Sequence, residues 1–201
     1  MSSTPLIGVL AVQGDVVEHV RALQEIGANT RTVRRPSEVA GLDGLVVPGG
    51  ESTVMDKLVR AFDLAEPLKE AIRDGLPVYG SCAGMIMLAD RIVDGRRDQR
   101  TLGGIDITVR RNAFGRQVDS FETELDIELI GPPPMRAVFI RAPWVEDWGP
   151  EVRVLASVER DGQSHPVVVR QGNLLATSFH PEVTGDRRIH AHFVERMVGG
   201  R

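Results

Sequence analysis

The chain predicts an α/β protein: a doubly wound, mixed sheet with helices packed on its faces. Three observations carry that prediction. Through the first half, apolar runs of strand length alternate with stretches of helical period. Glycine-rich turns follow the runs, at Gln13-Gly14, Pro48-Gly49-Gly50 and Gly80-Ser81-Cys82-Ala83-Gly84. In the second half several segments alternate apolar and polar residues, the habit of antiparallel strands. Parallel strands joined through helices are covered on both faces and collect ligands at their C-terminal ends.

Leu6 to Val12 reads as a strand with both faces apolar. Gln13-Gly14 turns the chain, and Asp15 is placed to cap the next helix, with Glu18 three residues on as in a capping box. Val16, Val17, Val20, Leu23 and Ile26 form one face of that helix, and Gly27 ends it. Thr30 to Val33 and Gly44 to Val47 are the next strands. Ser52 or Thr53 caps a helix reaching about Arg60, and another runs from about Ala65 to Asp74 before Gly75. Pro77-Val78-Tyr79 leads as a strand into the Cys82 turn, and Met85 to Ala89 leaves it as a buried helix. Asp94 to Thr101 is polar and reads as a mobile loop. Strands are expected at Ile105 to Arg110, Phe121 to Leu129, Ala137 to Ile140, Val152 to Val158, Pro166 to Val169 and Leu174 to Thr177. Gly185 to Val198 closes the chain as a helix, with Ile189, Phe193 and Met197 spaced by four. No linker divides the halves, so residues 1–201 are expected to form one domain.

Apolar residues make up 42% of the 201-residue chain and charged residues 26%, the profile of a soluble globular protein. A net charge of −4 gives no reason to expect a nucleic-acid or membrane surface. The apolar runs are far short of a bilayer span. Met1-Ser2-Ser3-Thr4-Pro5 lacks the basic and apolar regions of a signal peptide, and the single cysteine cannot make an internal disulfide. A cytoplasmic setting is therefore expected, with the lone thiol available for chemistry. No His/Cys cluster has metal-ligand spacing, so no metal is expected.

Gly80-Ser81-Cys82-Ala83-Gly84 is the thiol form of a nucleophile elbow. Its glycines permit a tight turn and close approach of strand and helix, and a helix N-terminus favours a thiolate. A nucleophile needs a base, and His180 follows an apolar strand in Ser178-Phe179-His180-Pro181-Glu182. Glu182, two residues on, is placed to hold the imidazole in one tautomer, which completes a triad. His19 reads as a surface or partner-facing residue and His165 as a loop residue. His190 and His192 fall on the closing helix without an obvious acid partner. Pro48-Gly49-Gly50 leaves backbone N–H groups free for an anion. An oxyanion hole would take one donor from Gly50 and another from Ala83, the residue after the nucleophile.

Pro48-Gly49-Gly50, Gly80-Ser81-Cys82-Ala83-Gly84 and His180-Pro181-Glu182, in that order along the chain, resemble the class I, triad-type glutamine amidotransferases, whose sheet is flavodoxin-like. Further stretches resemble the glutaminase subunits of pyridoxal 5'-phosphate synthases: Gly8-Val9-Leu10-Ala11-Val12-Gln13-Gly14-Asp15, Pro48 to Thr53, Arg111 to Phe121, and Phe139-Ile140-Arg141-Ala142-Pro143. The resemblance covers almost the whole chain. It implies hydrolysis of L-glutamine to L-glutamate and ammonia, with no cofactor. The ammonia would pass to a (β/α)8-barrel synthase subunit that makes pyridoxal 5'-phosphate from a pentose phosphate and a triose phosphate. It also implies Cys82 as nucleophile, His180 with Glu182 as relay, and Gly50, Glu51, Ser52, Arg111, Ile140 and Arg141 as the glutamine site. Chemically, Arg111 or Arg141 would take the α-carboxylate, and Glu51, helped by carbonyl groups near Ile140, the α-ammonium. Arg116, Gln117 and Asp119 would equally serve to brace their loop. Gln13, at the end of a neighbouring strand, is expected to couple the site to the partner. A glutaminase serving an imidazole glycerol phosphate synthase is the first rival, disfavoured by Val12-Gln13-Gly14-Asp15 and the Arg111 to Phe121 block. A chaperone-like protein that keeps only the elbow is the second, disfavoured by His180 and Glu182.

Overall fold

The computed structural model of the chain describes residues 4–111, 113, 120–160 and 162–200. Its centre is a seven-stranded mixed sheet. β1 (Leu6–Leu10), β2 (Asn29–Val33), β3 (Gly44–Val47), β4 (Val78–Ser81) and β12 (Leu174–Thr177) lie parallel in the order β12-β4-β3-β1-β2. β10 (Arg153–Arg160) and β11 (Gln163–Gln171) extend the β12 side antiparallel. The predicted mixed sheet is borne out, with β10 and β11 as its antiparallel strands.

The parallel strands are apolar on both faces because both faces are covered. Ile7, Val9, Val46, Tyr79 and Leu175 point into one core. There they meet Leu23 of α1 (Val16–Glu25), Ile189 of α6 (Arg188–His192), and Phe193 and Met197 of a π-helical turn, Phe193–Val198. β7 (Ser120–Leu125) and β8 (Met135–Ile140), an antiparallel pair, close this side with Leu125 and Phe139. Leu10, Leu45, Val47, Val78 and Ala176 point the other way. They pack on α2 (Ser52–Ala61), α3 (Ala65–Arg73) and α4 (Ala83–Leu88), beside a small sheet of β5 (Ala89–Val93), β6 (Ile105–Arg110) and β9 (Trp144–Trp148).

Several sequence expectations are corrected. Val17 is 74% exposed, and α1 buries His19, Ala22 and Leu23. Asp15 stands at the α1 N-cap, where its carbonyl accepts from the His19 amide, but its side chain makes no cap hydrogen bond. The α2 cap is Glu51, not Ser52 or Thr53; its carboxylate accepts from the Thr53 and Val54 amides. β5 and β9 were not expected. Ala89 continues an apolar run, so the six-residue α4 hides the start of β5, and Glu146 and Asp147 disguise β9. The 94–101 loop is tethered: Gln99 bonds Ser52 and Thr53, and the Arg100 amide bonds Asp56. The closing helix expected from Gly185 begins at Arg188 as α6 and passes directly into the π turn; a separate short α5 (Pro181–Thr184) precedes it and ends at Gly185, which takes φ +79°. Ile189, Phe193 and Met197 are nonetheless all buried, so the spacing identified the packed face. No helix among the described residues is long and apolar enough to cross a membrane.

Candidate active site

β1, β3, β4 and β12 are parallel neighbours, so the segments that follow them leave the same end of the sheet. That register gathers Gln13-Gly14-Asp15, Gly49-Gly50, Cys82 and His180 from distant parts of the chain. β8 adds Ile140 and Arg141, because the His180 amide bonds the Val138 carbonyl at 3.0 Å. A cleft of about 520 Å³ results, a size suited to a small metabolite. It is lined by Gln13, Gly50, Glu51, Ser52, Cys82, Ala83, Arg111, Ile140, Arg141 and His180. Every expected site residue except Glu182 reaches its wall; Glu182 is buried behind His180.

Cys82 has φ 49°, ψ −103°, a conformation a side-chain-bearing residue adopts at a cost of about 1–3 kcal/mol. Its amide is pinned to the Thr177 carbonyl at 2.8 Å. The flanking glycines are demanded by contact. A Cβ at Gly84 would strike the Val47 carbonyl oxygen, and one at Gly80 would meet the Gly84 carbonyl at 2.6 Å. The Cys82 sulfur lies 3.9 Å from the Ile140 carbonyl oxygen.

His180 Nδ1 is 2.7 Å from Glu182 Oε1, both buried. Asp15 Oδ2 lies 3.3 Å from the same nitrogen. Burial opposes a charged imidazole here, but hydrogen bonds to Asp15, Cys82 and Glu182 outweigh it and push His180 up to about 12. Burial raises the Glu182 carboxyl, while its bond to His180 pulls the other way. Ligand atoms of Asp15, His180 and Glu182 lie within 4.8 Å of one another. The short His180–Glu182 bond already engages Nδ1, so the trio reads as an imidazolium held between carboxylates.

The glycine loop is clamped from the β1 side. The Asp15 amide bonds the Gly49 carbonyl at 3.1 Å, and the Glu51 amide bonds Gln13 Oε1 at 2.8 Å. A side chain at Gly49 would meet His180 Cε1 at 2.5 Å, so this turn and the imidazole are mutually fitted. Arg111 and Glu51 meet each other across the cleft, Nη2 to Oε1 at 2.8 Å, and Arg111 Nη1 bonds Thr53 and Gln99. Burial works against the Glu51 carboxylate, yet the Thr53 and Val54 amides and Arg111 hold it below the ordinary range. Arg116, Gln117 and Asp119 lie outside the described residues.

The family model of SNO glutamine amidotransferases matches residues 9–199. The chain belongs to the SNO glutamine amidotransferase family. Among family relatives, the protein of Kineococcus radiotolerans named pyridoxal 5'-phosphate synthase subunit PdxT is 62% identical over 205 residues, covering 98% of this chain and 99% of its own. The protein of the same name from Rhodococcus opacus is 61% identical over 198 residues, covering 97% and 98%. A solved structure described as a glutamine amidotransferase is 45% identical with a TM-score of 0.88, covering 96% of this chain and 98% of that one.

Sequence reasoning misplaced several groups. His19 is fully buried behind Glu182, not at the surface. His190, expected to lack an obvious acid partner, meets a histidine: its Nε2 lies 3.0 Å from His19 Nδ1. His165 sits in β11 and stacks on Trp144 at 3.7 Å. Asp15, which lines the cleft, and Gln99, which holds Arg111, were not expected there. The missed signal for Asp15 and His19 was their spacing of four, which puts both on one face of α1.

Proposed function

We propose that this cleft is a glutaminase site in which Cys82, His180 and Glu182 form the triad. The observation that carries the reading is the convergence of Cys82, the His180–Glu182 pair and the Gly50–Ala83 backbone on one cleft. The Cys82 thiolate attacks the side-chain amide carbon of L-glutamine. The oxyanion forms beside the Gly50 and Ala83 amides, and such a donor contributes about 3 kcal/mol. His180, charged in the resting site, gives its proton to the departing nitrogen, and ammonia leaves a thioester on Cys82. Neutral His180 then takes a proton from water, which hydrolyses the thioester to L-glutamate.

Arg111 and Glu51 present opposite charges on the wall and suit the α-carboxylate and α-ammonium, which would enter by exchange with their ion pair. Ser52, the Ile140 carbonyl and Arg141 complete the glutamine site. The ammonia goes to a pyridoxal 5'-phosphate synthase partner subunit, for which we propose a (β/α)8 barrel and a cytoplasmic setting. Residues 1–201 act as one glutaminase domain, with Gln13 as the contact that couples it to the partner. The names of the relatives support this assignment.

The test is ammonia release from glutamine by the chain, alone and with the synthase subunit. A glutamine-analogue electrophile should add one label, on Cys82. Labelling elsewhere, or no ammonia release in the complex, would sink the reading.

A further inference from the structure

Behind the triad lies a second row of buried polar groups that the reaction as described does not use. His19 Nδ1 is 3.0 Å from Nε2 of His190, and His19 Nε2 is 2.9 Å from Oγ of Ser81, the residue before Cys82. The same Nε2 approaches Glu182 Oε2 at 3.5 Å. That oxygen has no hydrogen bond among the described residues, while Oε1 is engaged by His180. A buried acceptor without a donor is destabilising, so an N–H aimed near it matters.

The tautomers follow from counting protons. Burial, then His190, His180 and Arg187, push His19 well below its ordinary range, and burial takes His190 down to about 4. Both rings are therefore neutral, with one N–H each. A proton on His19 Nδ1 would force His190 to carry its own on Nδ1, which has no partner among the described residues. It would also turn the His19 Nε2 lone pair towards the Glu182 carboxylate. In the other assignment His190 donates from Nε2 to His19 Nδ1, and His19 donates from Nε2 towards Ser81 and Glu182. Only an acceptor is then left bare, and a bare acceptor is better tolerated than a bare N–H.

We propose that His19 is a positioning residue for the glutaminase reaction: held as its Nε2–H tautomer by His190, it braces the Glu182 carboxylate from behind and, through Ser81, the elbow that carries Cys82. The inference rests on the glutaminase reading of the cleft. It gives α1 two holds on the triad, Asp15 at His180 and His19 one turn later at Glu182. The other groups facing Glu182 are His180, Asp15, Tyr79 from β4, and Arg187, which donates to the Glu182 backbone carbonyl oxygen at 3.2 Å. These groups are retained in each His19 variant.

The test uses the full chain with His19→Gln, which keeps an N–H near the Nε2 position, and His19→Phe, which does not. Two quantities are measured: kcat and KM for glutamine with the synthase subunit, and the pH profile of Cys82 alkylation by iodoacetamide, which needs no glutamine. His19→Gln should stay within about threefold of the original kcat, and His19→Phe should lose about ten- to a hundredfold with KM unchanged. The alkylation midpoint should rise in His19→Phe and not in His19→Gln. Should His19→Phe fail to fold, His190→Leu removes the donor that sets the tautomer and should move the midpoint the same way. Superimposable alkylation profiles in folded variants, or a His19→Gln as impaired as His19→Phe, would overturn the proposal. A chain that releases no ammonia before any substitution would refute the glutaminase reading instead, and the alkylation profiles would still decide the role of His19.

Discussion

Cys82 lies on the cleft wall at a strained turn, with His180 beside it, while Glu182 sits behind and never reaches the wall. Those places assign different losses. Cys82→Ser should fold normally and lose at least about a thousandfold in ammonia release, because a hydroxyl is a poor nucleophile where a thiolate is needed. Unchanged circular dichroism with retained hydrolysis would remove Cys82 from the mechanism. His180→Asn should lose about a thousandfold or more, and Glu182→Gln less, since it orients a proton carrier without itself transferring the proton. Asp15, 3.3 Å from His180 Nδ1, lessens the Glu182→Gln loss further. Equal kcat losses in the two variants would give Glu182 a larger part.

At the scale of elements, the packing of α4 on β3 is set by one missing methyl group. Gly84→Ala would drive a Cβ into the Val47 carbonyl, and backbone cannot rotate aside as a side chain does. A loss of about 1–3 kcal/mol is expected, read as a lower urea midpoint with unchanged slope. The Gly49-Gly50 loop shows the opposite design. Its orientation is held by hydrogen bonds from the Gln13 to Asp15 turn, and these can be exchanged. Gln13→Ala frees the Glu51 amide and should lower kcat in the presence of the synthase more than in its absence. Equal effects under the two conditions would mean that Gln13 merely supports the loop.

For the whole molecule, the buried histidines tie stability to pH. His190 ionises at about 4 in the folded chain and His19 also well below 6.5, so unfolding in acid takes up protons that the native state refuses. A depressed histidine pKa makes the unfolded state bind more protons below 6.5, and stability therefore falls as pH drops from 6.5 towards 4. Tm should decline across that window, and His190→Gln should decline less steeply. Parallel Tm curves would show that the ring is not buried in its neutral form.

The sheet, its mixed character and the turns at its strand ends are legible in the chain before it folds. Apolar runs, glycine turns and the order of Cys82 and His180-Pro181-Glu182 are local patterns that each segment carries alone. Which helix face lies inside is set by packing. Val17 looks like core and His19 like surface, yet the sheet end beneath α1 is polar, lined by Ser81 and Glu182, and it takes the histidine. A helix can be read for its period but not for the polarity of what it will cover. The pairing of Arg111 with Glu51 was hidden for the same reason, since two charges far apart in the chain meet only when the small sheet folds over the large one.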